Sequence, residues 1–374
     1  MMKRFVDLAS PGIAELKPYV PGKPISELER ELGISDSIKL ASNENPLGPS
    51  PLGMAAAAEV ITGINIYPDD SAFRLHNALA TRYGVETDSI IIGSGSSDVI
   101  DMVVRVFLTP GRNAVFSEHA FAMYPIYTQA AGAEGKVARP LPSDHPSMPY
   151  GHDLEAMAAL VDDNTRVVFI ANPNNPTGTW LKRDALSGFL DELPEHVITV
   201  LDEAYTEYVS ESDFPNGLEL LPKYTNLIIT RTFSKIYGLA GLRVGYGIAN
   251  KALISLINRV RHPFNVNSPA LAAAEAALGD VAFIARSVEV NKRGLIQLHE
   301  GFETLGLKAI PSVANFITVD LQRSGAEIND ALLREGVVVR PVANYKLPNH
   351  LRVTVGTAVE NERFLSALKK VMAK

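Results

Sequence analysis

Residues 226–248 read NLIITRTFSKIYGLAGLRVGYGI. Leu227 to Thr230 is a short apolar run rich in β-branched residues, the composition of a buried strand, and Val244 to Ile248 is a second such run. The turn between them holds Thr232, Ser234, Lys235, Gly238, Gly241 and Arg243. A lysine just past a strand end is placed for desolvation, which lowers the pKa of its amine and makes it reactive toward carbonyls. The hydroxyls at 232 and 234 and the arginine at 243 form a donor set suited to a phosphate. The competing account is a surface lysine, the usual situation of that residue.

Working outward, several other predicted strands end in polar residues. Ile90 to Ile92 is a predicted strand, Gly93 to Ser97 a Gly/Ser loop, and Asp98 to Leu108 an amphipathic helix. That order makes an anion cradle from free helix N–H groups, or simply a capped helix after a tight turn. It is neither a Walker A loop nor a full dinucleotide fingerprint, because no GK[ST] follows and Asp98 occupies the third glycine position. Arg166 to Ala171 is a buried-type strand running into Asn172-Pro173-Asn174-Asn175-Pro176-Thr177-Gly178, where the prolines forbid regular structure. Val197 to Leu201 is another, followed at once by Asp202, Glu203 and Tyr205. A carboxylate there needs a cation or strong donor, such as a pyridinium N–H, or else it caps a helix. After the strand Asn113 to Ser117, the turn at 119–125 (HAFAMYP) offers an aromatic ring either to a planar ligand or to the core.

Composition narrows the class. The 374 residues are 46% hydrophobic and 21% charged, as in ordinary folded proteins, with a formal net charge of -7 that provides no footprint for nucleic acid. With no cysteine, disulfides, thiolate metal sites and a cysteine nucleophile are excluded. The eight histidines show no ligand spacing, so no metal is expected. Charges at Asp7, Glu15 and Lys17 interrupt any signal-peptide core, and no run approaches the roughly 20 apolar residues of a membrane span. A soluble, cytoplasmic protein without membrane or nucleic-acid partners is the expectation.

Strands and helices alternate from residue 89 to about 250, which predicts an α/β fold with a mostly parallel sheet sandwiched by helices. Beyond that, long helices (251–261, 268–278, 281–305) and late strands (316–319, 337–339, 351–355) predict a smaller α+β domain. The proline-punctuated residues 1–50 read as an arm lying on the small domain and on a partner subunit, 51–262 as the large domain, and 263–374 as the small one. Ser96, Asn175, Asp202 and Lys235 all fall just after strands, where α/β sheets bind ligands. One amine and one phosphate grip, taken together, suit pyridoxal phosphate.

The turn ANPNNPTG at 171–178, DEAY at 202–205 and SK…LAGLRVG at 234–245 resemble the class I and II pyridoxal-phosphate aminotransferases of fold type I. ASNENPLGPSP at 41–51, Tyr67-Pro68, HPFNVN at 262–267 and LRVTVGT at 351–357 are similar to the histidinol-phosphate aminotransferases among them. The resemblance implies catalytic roles for Lys235, which carries the cofactor and moves the proton, for Asp202, which pairs with the pyridine nitrogen, and for Tyr205. It implies cofactor binding by Gly95, Ser96, Ser97, Ser234 and Arg243 at the phosphate, by Phe121 on the ring face, and by Asn175 and Tyr205 at the phenolic oxygen. Tyr67 would reach the cofactor of the other subunit, giving a homodimer with shared sites. Tyr19, Asn45, Arg340 and Arg352 would bind substrate. The implied reaction exchanges the amino group between L-histidinol phosphate and 2-oxoglutarate, giving imidazole acetol phosphate and L-glutamate, in histidine biosynthesis. Phe121 departs from the tyrosine often found there, which keeps an aromatic amino acid aminotransferase as an alternative. A decarboxylase acting on a phosphorylated amino acid is another.

Overall fold

The computed structural model describes residues 5–19 and 22–373. Its strands in chain order are β1 (Ile38–Lys39), β2 (Ile90–Gly93), β3 (Asn113–Ser117), β4 (Glu134–Ala138), β5 (Thr165–Ala171), β6 (Ile198–Asp202), β7 (Leu227–Thr232), β8 (Gly245–Ala249), β9 (Lys308–Ile310), β10 (Phe316–Asp320), β11 (Val337–Val338), β12 (Arg340–Val342) and β13 (Leu347–Thr354). Seven form one sheet in the order β2-β8-β7-β6-β5-β3-β4, in which β8 alone runs antiparallel to its neighbours.

The strands are continuous apolar runs because both faces are covered. Val167, Phe169 and Ala171 of β5 pack with the helix Ser96–Phe107 on one face. Val168 and Ile170 point the other way, into a cluster with Leu186, Phe189 and Leu190 of the helix Arg183–Glu192. At the β2 end that second face is closed by Ala270, Ala273, Ala274 and Ala277 of the helix Ser268–Leu278. The large, mostly parallel sheet sandwiched by helices is therefore as expected.

The second sheet, β12-β13-β10-β9, is antiparallel. It packs with Leu298 and Phe302 of the helix Val281–Thr304 and with Phe364 and Leu368 of the helix Ala358–Met372. The arm joins this part of the molecule: β1 pairs in parallel with β11, and Leu40 accepts from the Thr354 amide at 2.8 Å.

The structure moves the expected boundary at 262/263. The helix Ser268–Leu278 belongs to the large sheet's cover, and Ile284 and Val288 at the start of Val281–Thr304 pack there too, while Leu298 and Phe302 at its far end serve the small sheet. One long helix thus spans both layers, and the change of layer comes midway along it.

Candidate active site

The parallel strands end along one edge of the large sheet, and the sequence-predicted polar groups collect there. One pocket is lined by Tyr19, Asn43, Glu44, Ser96, Ser97, Phe121, Asn175, Asp202, Tyr205, Ser234, Lys235, Arg243, Arg340 and Arg352, among others.

The phosphate-type grip depends on two glycines. The helix Ser96–Phe107 begins without any side-chain cap, which leaves its first N–H groups for a ligand. Gly95 sits at φ +87°, and a Cβ there would lie 2.5 Å from Arg243 Nη2. Gly245, at the start of β8, touches the same loop: a Cβ would lie 2.3 Å from the Ser96 nitrogen. Arg243 Nη1 donates to Ser234 Oγ at 3.2 Å and to the Ala240 carbonyl at 3.0 Å. Arg243 itself adopts φ +57°, a strained backbone for a side chain other than glycine and one that turns its guanidinium to the loop.

Lys235 is part-buried three residues past β7. Its Nζ donates to the Ser42 carbonyl at 3.1 Å and lies 5.7 Å from the centre of the Tyr205 ring. Burial first, and the neighbouring Arg352 charge second, lower its pKa to about 8. Asp202 ends β6, 5% exposed. Burial raises its carboxyl to about 6, against hydrogen bonds from Tyr124 (2.8 Å) and Thr230 (3.2 Å). Tyr205 accepts from Asn43 Nδ2 at 2.9 Å, and burial pushes its hydroxyl well above the usual value.

Asn175 lies in the turn after β5, whose Asn172–Pro173 and Asn175–Pro176 bonds are both cis. Its Oδ1 accepts from Arg352 Nη1 at 2.6 Å, and Arg352 Nη2 donates to the Ala41 carbonyl at 2.7 Å. Arg340 on β12 is 9% exposed and lies 5.4 Å from the Tyr19 ring. No carboxylate pairs with Arg340 among the described residues, so a buried guanidinium lacks a counter-ion. Four cations line the pocket against Glu44, which is engaged by Lys39 at 2.7 Å, and Asp202. Such a surplus calls for anionic ligands.

These features fit pyridoxal phosphate: a seat for its phosphate at a glycine-rich loop, a buried carboxylate for its ring nitrogen and a low-pKa amine for its aldehyde.

Two predicted residues lie elsewhere. Asn45 does not line the pocket. Its Nδ2 donates to the Ile236 carbonyl (2.8 Å) and Ser287 Oγ (2.9 Å), and its Oδ1 accepts from Leu47 N (3.0 Å), so its bonding capacity holds the arm in place. Asn43, two residues earlier in the same quoted run, is the one that faces the site. Tyr67 is 79% exposed, stacked on Phe264 at 4.6 Å and outside this chain's own pocket. Thr230 and Tyr124, which lie within the stretches 226–248 and 119–125, carry no sequence signal that sets them apart as partners of Asp202.

The family described as aminotransferase class I and II matches residues 35–368. The chain belongs to this family. It is 56% identical over 372 residues to histidinol-phosphate aminotransferase 2 of Pseudomonas fluorescens, covering 99% of both chains. It is also 56% identical over 365 residues to the protein of that name in Methylococcus capsulatus, covering 98% of both. Among solved structures, the histidinol-phosphate aminotransferase of Sinorhizobium meliloti in complex with pyridoxal-5'-phosphate superimposes with a TM-score of 0.88 at 28% identity, covering 97% of both chains. The aspartate aminotransferase of Thermus thermophilus with maleate shares the fold, with a TM-score of 0.83 at 21% identity, covering 96% of this chain and 98% of that one.

Proposed function

We propose that this aminotransferase moves the amino group between L-histidinol phosphate and 2-oxoglutarate, with pyridoxal phosphate as cofactor, in histidine biosynthesis. The observation that carries the substrate reading is Arg340, a buried guanidinium without a counter-ion among the described residues, in the same pocket as Arg352 and Lys235. The guanidinium fork accepts carboxylate or phosphate in the same bidentate geometry. One arginine pair therefore serves both glutamate and a phosphorylated amine.

When bound, the cofactor supplies an electron sink that makes the substrate's α-hydrogen acidic. The residues do the rest. Gly95, Ser96, Ser97, Ser234 and Arg243 would hold its phosphate, and Phe121 would cover its ring. Asp202 would hold the ring nitrogen's proton, while Asn175 and Tyr205 would donate to the phenolic oxygen. Asn175 Nδ2 has no hydrogen-bond partner among the described residues, which leaves it for that contact. Lys235 Nζ would accept and return the proton, because an amine with a pKa of about 8 exchanges it near neutral pH. Arg340, Arg352 and Tyr19 would orient the substrate's anionic end.

The enzyme works as a homodimer in the cytoplasm, with Tyr67 of each subunit completing the other's site. The motivation is a tyrosine exposed beside Phe264 rather than turned into its own pocket. No single helix among the described residues is long and apolar enough to cross a membrane. The test is steady-state turnover of histidinol phosphate with 2-oxoglutarate by the purified protein. Formation of glutamate in step with loss of histidinol phosphate supports the reading. Carbon dioxide release without glutamate, or turnover of phenylalanine alone, overturns it.

A further inference from the structure

Tyr124 is fully buried, and its hydroxyl donates to Asp202 Oδ2 at 2.8 Å. The ring is fixed on both sides: it stacks on Phe169 at 4.7 Å and 6° and meets Phe121 edge-on at 5.7 Å. Phe121 is itself a wall of the pocket. Thr230 donates to the other carboxylate oxygen at 3.2 Å. Each oxygen of Asp202 thus has a side-chain donor, the Ala204 backbone N–H is a third donor to the carboxylate, and lone-pair capacity still remains for the pocket. Glu203, the nearest other carboxylate in sequence, is held by Arg231 at 2.7 Å and turned away.

The chemistry at this carboxylate is a question of where one proton sits. A carboxylate facing a pyridine nitrogen shares a proton with it, and donors to the carboxylate favour the charged form and leave that proton on nitrogen. Burial works in the opposite sense, favouring a neutral carboxyl. Burial and the adjacent Asp202 charge also push the Tyr124 hydroxyl well above its ordinary value, so it remains a donor across the working pH range. We propose that Tyr124 is a positioning residue that keeps Asp202 ionised and aimed, so that the shared proton stays on the cofactor's ring nitrogen.

This inference rests on the pyridoxal-phosphate reading and is tested on the holoenzyme. The protein is loaded with pyridoxal phosphate labelled with ¹⁵N in the ring, and the ¹⁵N resonance is recorded for wild type and Tyr124→Phe at one pH. The variant keeps the ring contacts and loses the donor. Its resonance is expected to move toward that of neutral pyridine, with kcat reduced about tenfold in both directions and KM little changed, as for loss of one hydrogen bond to a charged group. 4-Fluorophenylalanine in place of Tyr124 fills the hydroxyl's space without donating and should behave alike. 4-Aminophenylalanine there restores a donor and should return the resonance toward wild type. Should Tyr124→Phe fail to fold, the two shape-matched residues decide. A wild-type resonance and wild-type kcat in the non-donating variants overturn the proposal and leave Tyr124 as core packing. A wild-type protein that takes up no pyridoxal phosphate overturns the underlying reading instead, and this inference with it.

Discussion

Arg352 Nη1 donates to Asn175 Oδ1 at 2.6 Å. The bond joins β13 of the small sheet to the turn that follows β5 of the large one, and the second fork nitrogen ties both to the arm at Ala41. The proposed substrate contact and the relative placement of three chain segments therefore share one side chain. Arg352→Lys keeps the charge and loses the fork. Since a hydrogen bond to a charged group contributes about 1.5–3 kcal/mol, kcat/KM for both glutamate and histidinol phosphate should fall by roughly 10- to 100-fold, measured by steady-state kinetics. Equal kcat/KM in variant and wild type would show that the fork is not used.

Arg352 also helps to lower the Lys235 pKa, after burial. With the free Lys235 amine as the proposed proton acceptor, the rate of the amino-transfer step should rise with pH toward a plateau above about 8. Arg352→Gln removes a positive neighbour, stabilises the protonated lysine and should shift that rising limb to higher pH. Lys235→Ala should lower turnover by about 10²–10⁴-fold or more. Cofactor should still be retained through Arg243, Ser234 and the Gly95 loop, read from its absorbance after gel filtration.

Gly95→Ala tests the phosphate seat. The added Cβ meets Arg243 Nη2 at 2.5 Å on a backbone at φ +87°. The affinity for pyridoxal phosphate, titrated by absorbance, should weaken by about tenfold or more, given about 1–2 kcal/mol for a left-handed non-glycine residue.

The exposed Tyr67 predicts complementation between subunits. Tyr67→Phe and Lys235→Ala should each be impaired alone, and mixing them should restore activity. Random exchange makes about half of the dimers mixed, each with one intact site of two, so roughly a quarter of wild-type turnover is expected. No gain after confirmed exchange would remove Tyr67 from the partner's site.

The stability of the sheet edge depends on a buried pair. Arg231 Nε and Nη2 both donate to Glu203 Oε2, at 2.9 and 2.7 Å, while Glu203 Oε1 accepts from Gly217 N. Glu203→Gln removes the carboxylate to which Arg231 donates twice, leaves Glu207 as its remaining acidic neighbour, and should cost about 3–5 kcal/mol by denaturant unfolding.

The parts of this molecule that were legible in the sequence are those where burial is uniform. The runs in β5 and β7 are apolar on both faces, so their length and β-branching announce strands, and the polar residues that end them announce the site. The sequence carries no strand signal over β4. Glu134, Gly135 and Val137 are exposed at the sheet's edge, and EGKVA carries no alternating pattern. The expected helices end at 305, whereas the structure adds Gly325–Arg334 and Ala358–Met372, the second opened by a capping box of Thr357 and Glu360. In the site, residues at strand ends could be placed because the sheet aligns them. Asn43 and Asn45 could not be told apart, since both lie in an irregular arm where only tertiary contacts set which amide faces inward. Tyr124 was hidden in an aromatic cluster: HAFAMYP does not say which ring covers a ligand and which reaches a carboxylate.

The proposed amino transfer to and from a phosphorylated substrate runs through Lys235. The most direct test is the absorbance of the bound cofactor when holoenzyme is mixed separately with L-histidinol phosphate, L-glutamate and L-phenylalanine. Rapid loss of the enzyme-bound cofactor band with histidinol phosphate and glutamate, and slow loss with phenylalanine, is the predicted result. Fast loss with phenylalanine and none with histidinol phosphate would contradict the account.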